Sequence, residues 1–286
     1  MKTLDEVVNV KSVAMRSPFR YPGGKTWLIP YIRQWFDSLP RKPIELIEPF
    51  AGGGIVGLTV AFKEMADHVT LIELDKEVAS VWQTILNGDA GWLADRIVTF
   101  DLTSENVKGE LSKTDTTTEE KAFQTILKNR INRGGILAPG AGKLKAGERK
   151  KGLKSRWYPK TLKKRILAIA NIRDRITFIK GDGMEILRQN AHCTDVVYFI
   201  DPPYTLSGKR SGSRLYTHFE LDHQELFNVV STLAGNFLMT YSDDQIVREL
   251  AQKHGFATKT VTMKTTHHAK MTELLIGRNL KWVVDY

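Results

Sequence analysis

A single cysteine, Cys193, stands among 286 residues. No internal disulfide can form, and a cysteine-rich zinc site is excluded. Its flanking run, Ala191-His192-Cys193-Thr194, offers no clear activating environment, so the thiol reads as structural and a reducing compartment is expected. No apolar stretch approaches the ~20 residues of a membrane span. The opening residues Met1-Lys2-Thr3-Leu4-Asp5-Glu6 lack the apolar core of a signal peptide, and a cytoplasmic protein is expected. A phosphate loop is missing too. Pro22-Gly23-Gly24-Lys25-Thr26 ends like one, but the pattern needs glycine where Phe19 stands and no strand precedes it, so ATP binding there is rejected. His267 and His268 have no third partner at a metal-ligand spacing, and no metal is expected. No internal repeat is present. Acids are the scarcer charge: 32 Asp and Glu against 42 Lys and Arg, a formal net charge of +10. The imbalance favours a polyanionic partner, nucleic acid first, over the plainer reading of charge kept for solubility.

What is present is an alternation of strand-like and helix-like segments. The strands read at 44–47, 68–72, 176–180, 196–200 and 237–241, and the helices at 54–65, 76–86, 184–190, 222–233 and 243–254. This rhythm implies an α/β fold with a mainly parallel sheet and helices on both faces. Two closing strands, 256–263 and 272–276, are joined by a link too short for a crossover helix, so an antiparallel edge hairpin is expected. The rhythm breaks between about 88 and 161. That stretch reads as one helical segment at 119–129 followed by a Gly- and Lys-rich run unable to build a core by itself. The expected division is a cofactor-binding half (1–87), an insert (88–161) and a catalytic half (162–286).

Two segments carry chemistry. Glu48-Pro49-Phe50-Ala51-Gly52-Gly53-Gly54-Ile55-Val56-Gly57 follows a strand and opens a helix. Gly52, Gly54 and Gly57 satisfy G-x-G-x-x-G in that setting, and Glu73 ends the next strand about 20 residues on, where a carboxylate can bind ribose hydroxyls. This points to an adenosine-type cofactor without separating a dinucleotide from S-adenosylmethionine. Asp201-Pro202-Pro203-Tyr204 follows the apolar strand 196–200. Asp201 and the Pro202 carbonyl can accept from an exocyclic amine, and Tyr204 can stack on the ring that bears it. A hydride-transfer enzyme has no use for such a clamp, which selects S-adenosylmethionine. Asp182, ending the third strand, suits either the cofactor's adenine amine or a helix N-cap. Lys25 opens a helix against its dipole; it reads as a partner for the carboxylate of the cofactor's methionine end, or else as a solvated lysine.

From Lys143 onward Lys145, Arg149, Lys150, Lys151, Lys154, Arg156, Lys160, Lys163, Lys164 and Arg165 face only Glu148 in sequence. Such density predicts phosphate contacts. Arg130, Asn132 and Arg133 are better candidates for base edges, because Arg suits guanine and Asn suits adenine. The segment 207–214, with Lys209 and Arg210, reads as a flexible basic loop over an extruded strand, or as a plain surface loop.

The blocks Phe19-Arg20-Tyr21-Pro22-Gly23-Gly24-Lys25, Glu48-Pro49-Phe50-Ala51-Gly52-Gly53-Gly54 and Asp201-Pro202-Pro203-Tyr204, in that order with a large insert between the last two, closely resemble the Dam-like, alpha-group DNA adenine-N6 methyltransferases. The resemblance implies a Rossmann-like S-adenosylmethionine-dependent fold with an inserted target-recognition domain. Tyr21 and Lys25 would hold the methionine moiety, Phe50, Ala51, Gly52 and Gly54 would line the cofactor pocket, Glu73 would bind ribose and Asp182 the adenine. Asp201, Pro202 and Tyr204 would hold a flipped target adenine, with methyl transfer in line and no covalent enzyme intermediate. Arg130, Arg133 and Gly134 resemble the start of the family's recognition hairpin, and Trp157-Tyr158-Pro159 its following aromatic-Pro segment. The chain departs from the family within that hairpin, which is longer and richer in Lys and Gly, and at Glu73, where aspartate is more usual. Double-stranded DNA is the expected partner and a monomer the favoured state. An RNA substrate, a protein-glutamine methyltransferase and a non-catalytic binder are the alternatives. The Dam-like insert argues against the first. The second usually carries asparagine where Asp201 stands and lacks the insert, and the intact acid and glycines oppose the third.

Overall fold

A computed structural model of the chain describes residues 13–20, 23–144, 152–203, 221–264 and 270–284. Among the described residues seven strands form one sheet: β1 (Glu45–Glu48), β2 (His68–Glu73), β3 (Ile176–Lys180), β4 (Val196–Ile200), β5 (Asn236–Ser242), β6 (Ala257–Lys264) and β7 (Lys270–Gly277). Their order is β3-β2-β1-β4-β5-β7-β6. The first five are parallel to one another, and β7 runs antiparallel between β5 and β6. The closing hairpin is as expected, with its second strand inserted inward and β6 left at the edge. This is a Rossmann-like α/β architecture, as the alternation of segments predicted.

The strands are apolar on both sides, as parallel strands covered on two faces must be. All five residues of β4 are buried. Side chains alternate along each strand: Leu46, Val197, Phe199 and Leu275 join one core, and Ile47, Tyr198, Ile200 and Leu274 the other. The first core is covered by α1 (Ile29–Asp37), α2 (Ile55–Lys63) and α3 (Lys76–Leu86), the second by α8 (Gly183–Gln189), α9 (His223–Thr232) and α10 (Gln245–Lys253). Burying each Val, Leu, Ile or Phe side chain contributes about 1.5–3 kcal/mol. Asp75, Asp182, Asp222 and Asp244 cap α3, α8, α9 and α10 by accepting from backbone N–H groups, which fixes where each helix starts.

The stretch 88–161 differs from its sequence reading. Among the described residues, it and the residues just beyond hold four α-helices rather than one: α4 (Ala90–Thr99), α5 (Ser104–Leu111), α6 (Thr118–Ile131) and α7 (Pro159–Ala170). Leu93, Ile97, Phe123, Ile126, Leu162 and Ile166 lie in the same core as Val81 and Trp82 of α3. The helices therefore build on the core of the sheet layer. Phe100 packs edge-on against Phe123 at 5.1 Å and Trp157 at 6.3 Å between ring centroids. Among the described residues no helix is long and apolar enough to cross a membrane.

Candidate active site

The strand order reverses between β1 and β4, which are neighbours in the sheet yet far apart in sequence. Ligands of open α/β sheets bind beyond the carboxyl ends of the strands at such a switch point. A cavity of about 560 Å³ lies there, walled by the turns after β1, β2, β3 and β4. Lys25, Phe50, Ala51, Gly52, Gly54, Glu73, Asp182 and Asp201 all line it. Pro203 lines it as well; Pro202 between them is buried. Tyr21 and Tyr204 lie outside the described residues, as do Lys145, Arg149, Lys150, Lys151, Lys209, Arg210, His267 and His268.

The glycine turn is held from two sides. The Gly52 amide donates to Glu73 Oε2 at 2.9 Å, and the Trp82 indole N–H donates to the Gly52 carbonyl at 3.0 Å. Glu73 Oε1 accepts from the Asp75 amide at 2.8 Å. Burial lifts the Glu73 carboxyl to about 7 against these backbone donors. The third glycine has a specific reason. A Cβ on Gly57 would lie 2.5 Å from Leu71 Cδ2 and 2.6 Å from Glu48 Oε2. Only glycine lets α2 approach closely enough for its Gly57 amide to donate to that Glu48 oxygen at 2.7 Å. Glu48 is 3% exposed. Burial pushes its carboxyl up to about 8; the Gly57 amide opposes the rise and the charge of Asp201 adds to it.

Asp182 is the N-cap of α8 and also stands on the cavity wall. Its Oδ1 accepts from the Met184 amide at 2.8 Å. Lys25 is not a solvated lysine: it is 3% exposed. Its ammonium lies 3.0 Å from Asp201 Oδ1, 3.3 Å from Glu273 Oε1 and 3.1 Å from the Gly23 carbonyl. The Thr240 hydroxyl donates to the same Asp201 oxygen at 2.8 Å. Asp201, the candidate catalytic residue from sequence, is therefore gripped at one oxygen by a cation and a hydroxyl. Glu48, Thr240 and Glu273 escaped the sequence reading. Glu273 did leave a signal: an acid opening the otherwise apolar run Leu274-Leu275-Ile276, in a strand where charge is rarely buried without a partner.

The base-reading candidates divide. Arg130 is 3% exposed, and its Nη2 donates to the Pro18 carbonyl. Burial and the neighbouring Arg165, Arg20 and Arg156 lower its guanidinium to about 9. Asn132 is 8% exposed, with its amide donating to the Ile136 carbonyl at 2.8 Å. Both depart from the base-reading expectation: they brace the segment internally, because the chain folds back over them. Arg133 and Lys143 are exposed and Arg156 partly so. An antiparallel bridge joins Asn132 to Lys143, with the Arg133 amide donating to the Gly142 carbonyl at 2.7 Å. The basic run is also less unopposed than in sequence. Lys163 pairs with Asp95 at 2.5 Å and Lys154 stands 3.9 Å from Asp101, acids supplied by α4 and the loop after it.

A cavity lined by the Lys25–Asp201 pair and Glu48, with a hydrophobic wall at Phe50 and Met184 and a glycine turn flanked by Glu73, suits a cationic adenosine compound. Among the described residues no cluster of His, Cys, Asp and Glu is arranged for a metal.

The family model described as D12 class N6 adenine-specific DNA methyltransferase matches residues 21–267. Among curated proteins nothing matches. Solved structures similar to the chain include the rRNA methyltransferase aviRa from Streptomyces viridochromogenes, at 12% identity over 97% of this chain and 93% of that one, TM-score 0.40. Another is TrmK of M. capricolum in complex with S-adenosyl-homocysteine, at 7% identity over 87% and 68%, TM-score 0.39. A third is precorrin-6y C5,15-methyltransferase from Geobacter metallireducens, at 9% identity over 86% and 85%, TM-score 0.36. Likeness at this level adds nothing to the topology already described.

Proposed function

The chain belongs to the D12 class N6 adenine-specific DNA methyltransferase family, and from that premise we propose that it methylates the exocyclic amine of a flipped-out adenine at specific sites in duplex DNA. It is an adenine-N6 methyltransferase and its cofactor is S-adenosylmethionine. The observation that carries the finer reading is Asp201. It stands just past β4 on the wall of the cavity that the glycine turn lines, with one oxygen fixed by Lys25 and Thr240.

When bound, S-adenosylmethionine supplies an electrophilic methyl group on a sulfonium. Glu73 would accept from its ribose hydroxyls and Asp182 from its adenine amine, while Phe50, Ala51, Gly52 and Gly54 would border it. Tyr21 would meet its carboxylate, because the three N–H donors of Lys25 face Asp201, Glu273 and the Gly23 carbonyl. An adenine amine is a poor nucleophile because its lone pair is delocalised into the ring. Asp201 and the Pro202 carbonyl would each accept one amine N–H, favouring a pyramidal nitrogen with a localised lone pair. Fixing Asp201 beforehand supplies the preorganised acceptor that such a step requires. Asp201 need not be a strong base, since the methylated nitrogen is acidic and releases its proton late. Tyr204 would stack on the target ring. The amine is out of reach inside a duplex, so the base must leave the stack.

Around the site, Arg133, Lys143 and Arg156, with Lys150, Lys151, Lys209 and Arg210, are proposed to contact DNA, and residues 88–161 to carry target recognition. The test incubates purified protein and methyl-labelled cofactor with unmethylated duplex DNA and, separately, with structured RNA. Hydrolysis to nucleosides should yield labelled N6-methyldeoxyadenosine. Label confined to RNA adenosine, or to protein, sinks the DNA reading.

A further inference from the structure

Glu273 faces the candidate catalytic aspartate from two strands away, and the sheet register explains how. Ile200 of β4 pairs with Met239 of β5, so Asp201 follows level with Thr240. Thr240 pairs with Leu275 of β7, and Ser242 with Glu273. Leu238 and Leu275 belong to the core on one side of the sheet, and alternation puts Thr240 and Glu273 on that same side. The turn Lys25–Leu28 covers this side, so Lys25 reaches both acids at once. Glu273 is 6% exposed, and its Oε2 has no hydrogen-bond partner among the described residues. A buried acid with one oxygen left unsatisfied is costly to a fold. Neither core packing nor the cofactor contacts proposed above account for it.

We propose that Glu273 is a positioning residue that shares the Lys25 ammonium with Asp201, keeping Asp201 from collapsing into a one-to-one ion pair and so preserving it as an acceptor for the target amine. This inference rests on the role given to Asp201 above. A buried ammonium facing a single carboxylate is drawn tightly onto it, and the oxygens that should receive the amine N–H lose acceptor strength. With two carboxylates at 3.0 and 3.3 Å the ammonium is held between them. Lys25 thereby becomes a fixed strut for Asp201.

The charge state of Glu273 then matters. Among the described residues the ionisable groups facing it are Lys25 from the turn and Asp201 from the end of β4, with Glu48 beyond Asp201. On either side β5 presents Ser242 and β6 presents Val261. Burial raises the Glu273 carboxyl to about 7, Lys25 opposing the rise and Asp201 adding to it. Strengthening of the sharing arrangement thus falls in the neutral range and grows as pH rises through it.

The test uses Glu273→Gln, which keeps the shape and an oxygen for Lys25 but removes the charge, and Glu273→Asp, which restores the charge. Both are compared with wild type on whichever nucleic acid the wild type methylates. Glu273→Gln should lower kcat at least tenfold, leave KM for cofactor and nucleic acid within about twofold, and leave the cofactor Kd measured by calorimetry unchanged. It should also lose the rise of kcat with pH near 7 that wild type displays. Glu273→Asp should recover a substantial part of kcat and the pH limb. Wild-type kcat and pH profile in Glu273→Gln overturn the proposal. So does a loss of kcat that Glu273→Asp fails to restore, or one matched by weaker cofactor binding or a lower Tm. If Glu273→Gln does not fold, carboxyl-carbon NMR of the wild type decides: Asp201 should respond to the Glu273 titration, and an Asp201 signal indifferent to it overturns the proposal. Absence of label in DNA with wild type overturns the substrate reading alone, because the Glu273 comparison then proceeds on RNA.

Discussion

Three carboxylates, Glu48, Asp201 and Glu273, gather at the carboxyl end of the sheet, the last two on one ammonium. Each differs in what holds it, and each makes a different prediction. Asp201→Ala should remove methyl transfer by at least a thousandfold while cofactor and DNA binding persist, read by single-turnover labelling beside calorimetry and gel shift. Equal loss of DNA binding would show that Asp201 supports the fold rather than the reaction. Glu48 bears on stability. Burial pushes its carboxyl up to about 8 in the folded chain, from an ordinary value of 4.5. Below 4.5 both states are protonated. Between 4.5 and 8 the folded state keeps a proton that the unfolded state has released, so stability falls as pH rises, by on the order of 1 kcal/mol per pH unit. Above 8 the loss is complete. Glu273 and Glu73 add the same sign up to about 7. Glu48→Gln, which can still accept from the Gly57 amide, should flatten the decline between pH 5 and 8 in urea unfolding. An unchanged slope would mean that Glu48 ionises at the ordinary carboxylate pH. Asp201 was legible along the chain, but the burial of Glu48 and Glu273 was not. Glu48 sits in a motif read for its glycines, and its burial is created by α2 lying against it.

Among the elements, legibility followed pattern strength. β4 was readable as a strand because Val196-Val197-Tyr198-Phe199-Ile200 is uninterrupted and β-branched. α3 came out with its observed limits because Asp75 caps an amphipathic run. The helices α4, α5 and α7 were missed for local reasons. α4 begins Ala90-Gly91 just after a turn-like Asn87-Gly88-Asp89, α5 carries Gly109, and the apolar positions of α7 are embedded in Lys and Arg. Their stability comes from packing on α3 and α6, which local propensity does not report. α8 offers a test of double duty at its N-cap. Asp182→Asn retains a good N-cap and should leave Tm unchanged while weakening cofactor binding severalfold. Asp182→Ala should weaken binding and also cost about 1 kcal/mol of stability. If Asn and Ala behave alike in both measurements, the double role is wrong.

For the whole molecule the net charge of +10 sets the expectation of a polyanionic partner. Replacing Lys150, Lys151 and Lys154 by alanine should flatten the dependence of log K on log salt for DNA, by about 0.9 for each phosphate no longer neutralised. A slope equal to wild type, measured by fluorescence anisotropy, would mean that these lysines face solvent. Composition and order in the chain were enough to determine the parallel α/β class, the closing hairpin, the glycine turn and the acid after β4, because each is written in neighbouring residues or in a short period. The tertiary structure alone decided which polar groups are buried and what they meet. It set Lys25 against Glu273 across 248 positions, tied Thr240 to Asp201 across 39, and turned Arg130 inward. Ionisation and acceptor strength depend on burial and on charges brought together from remote segments, and no pattern along a chain encodes either.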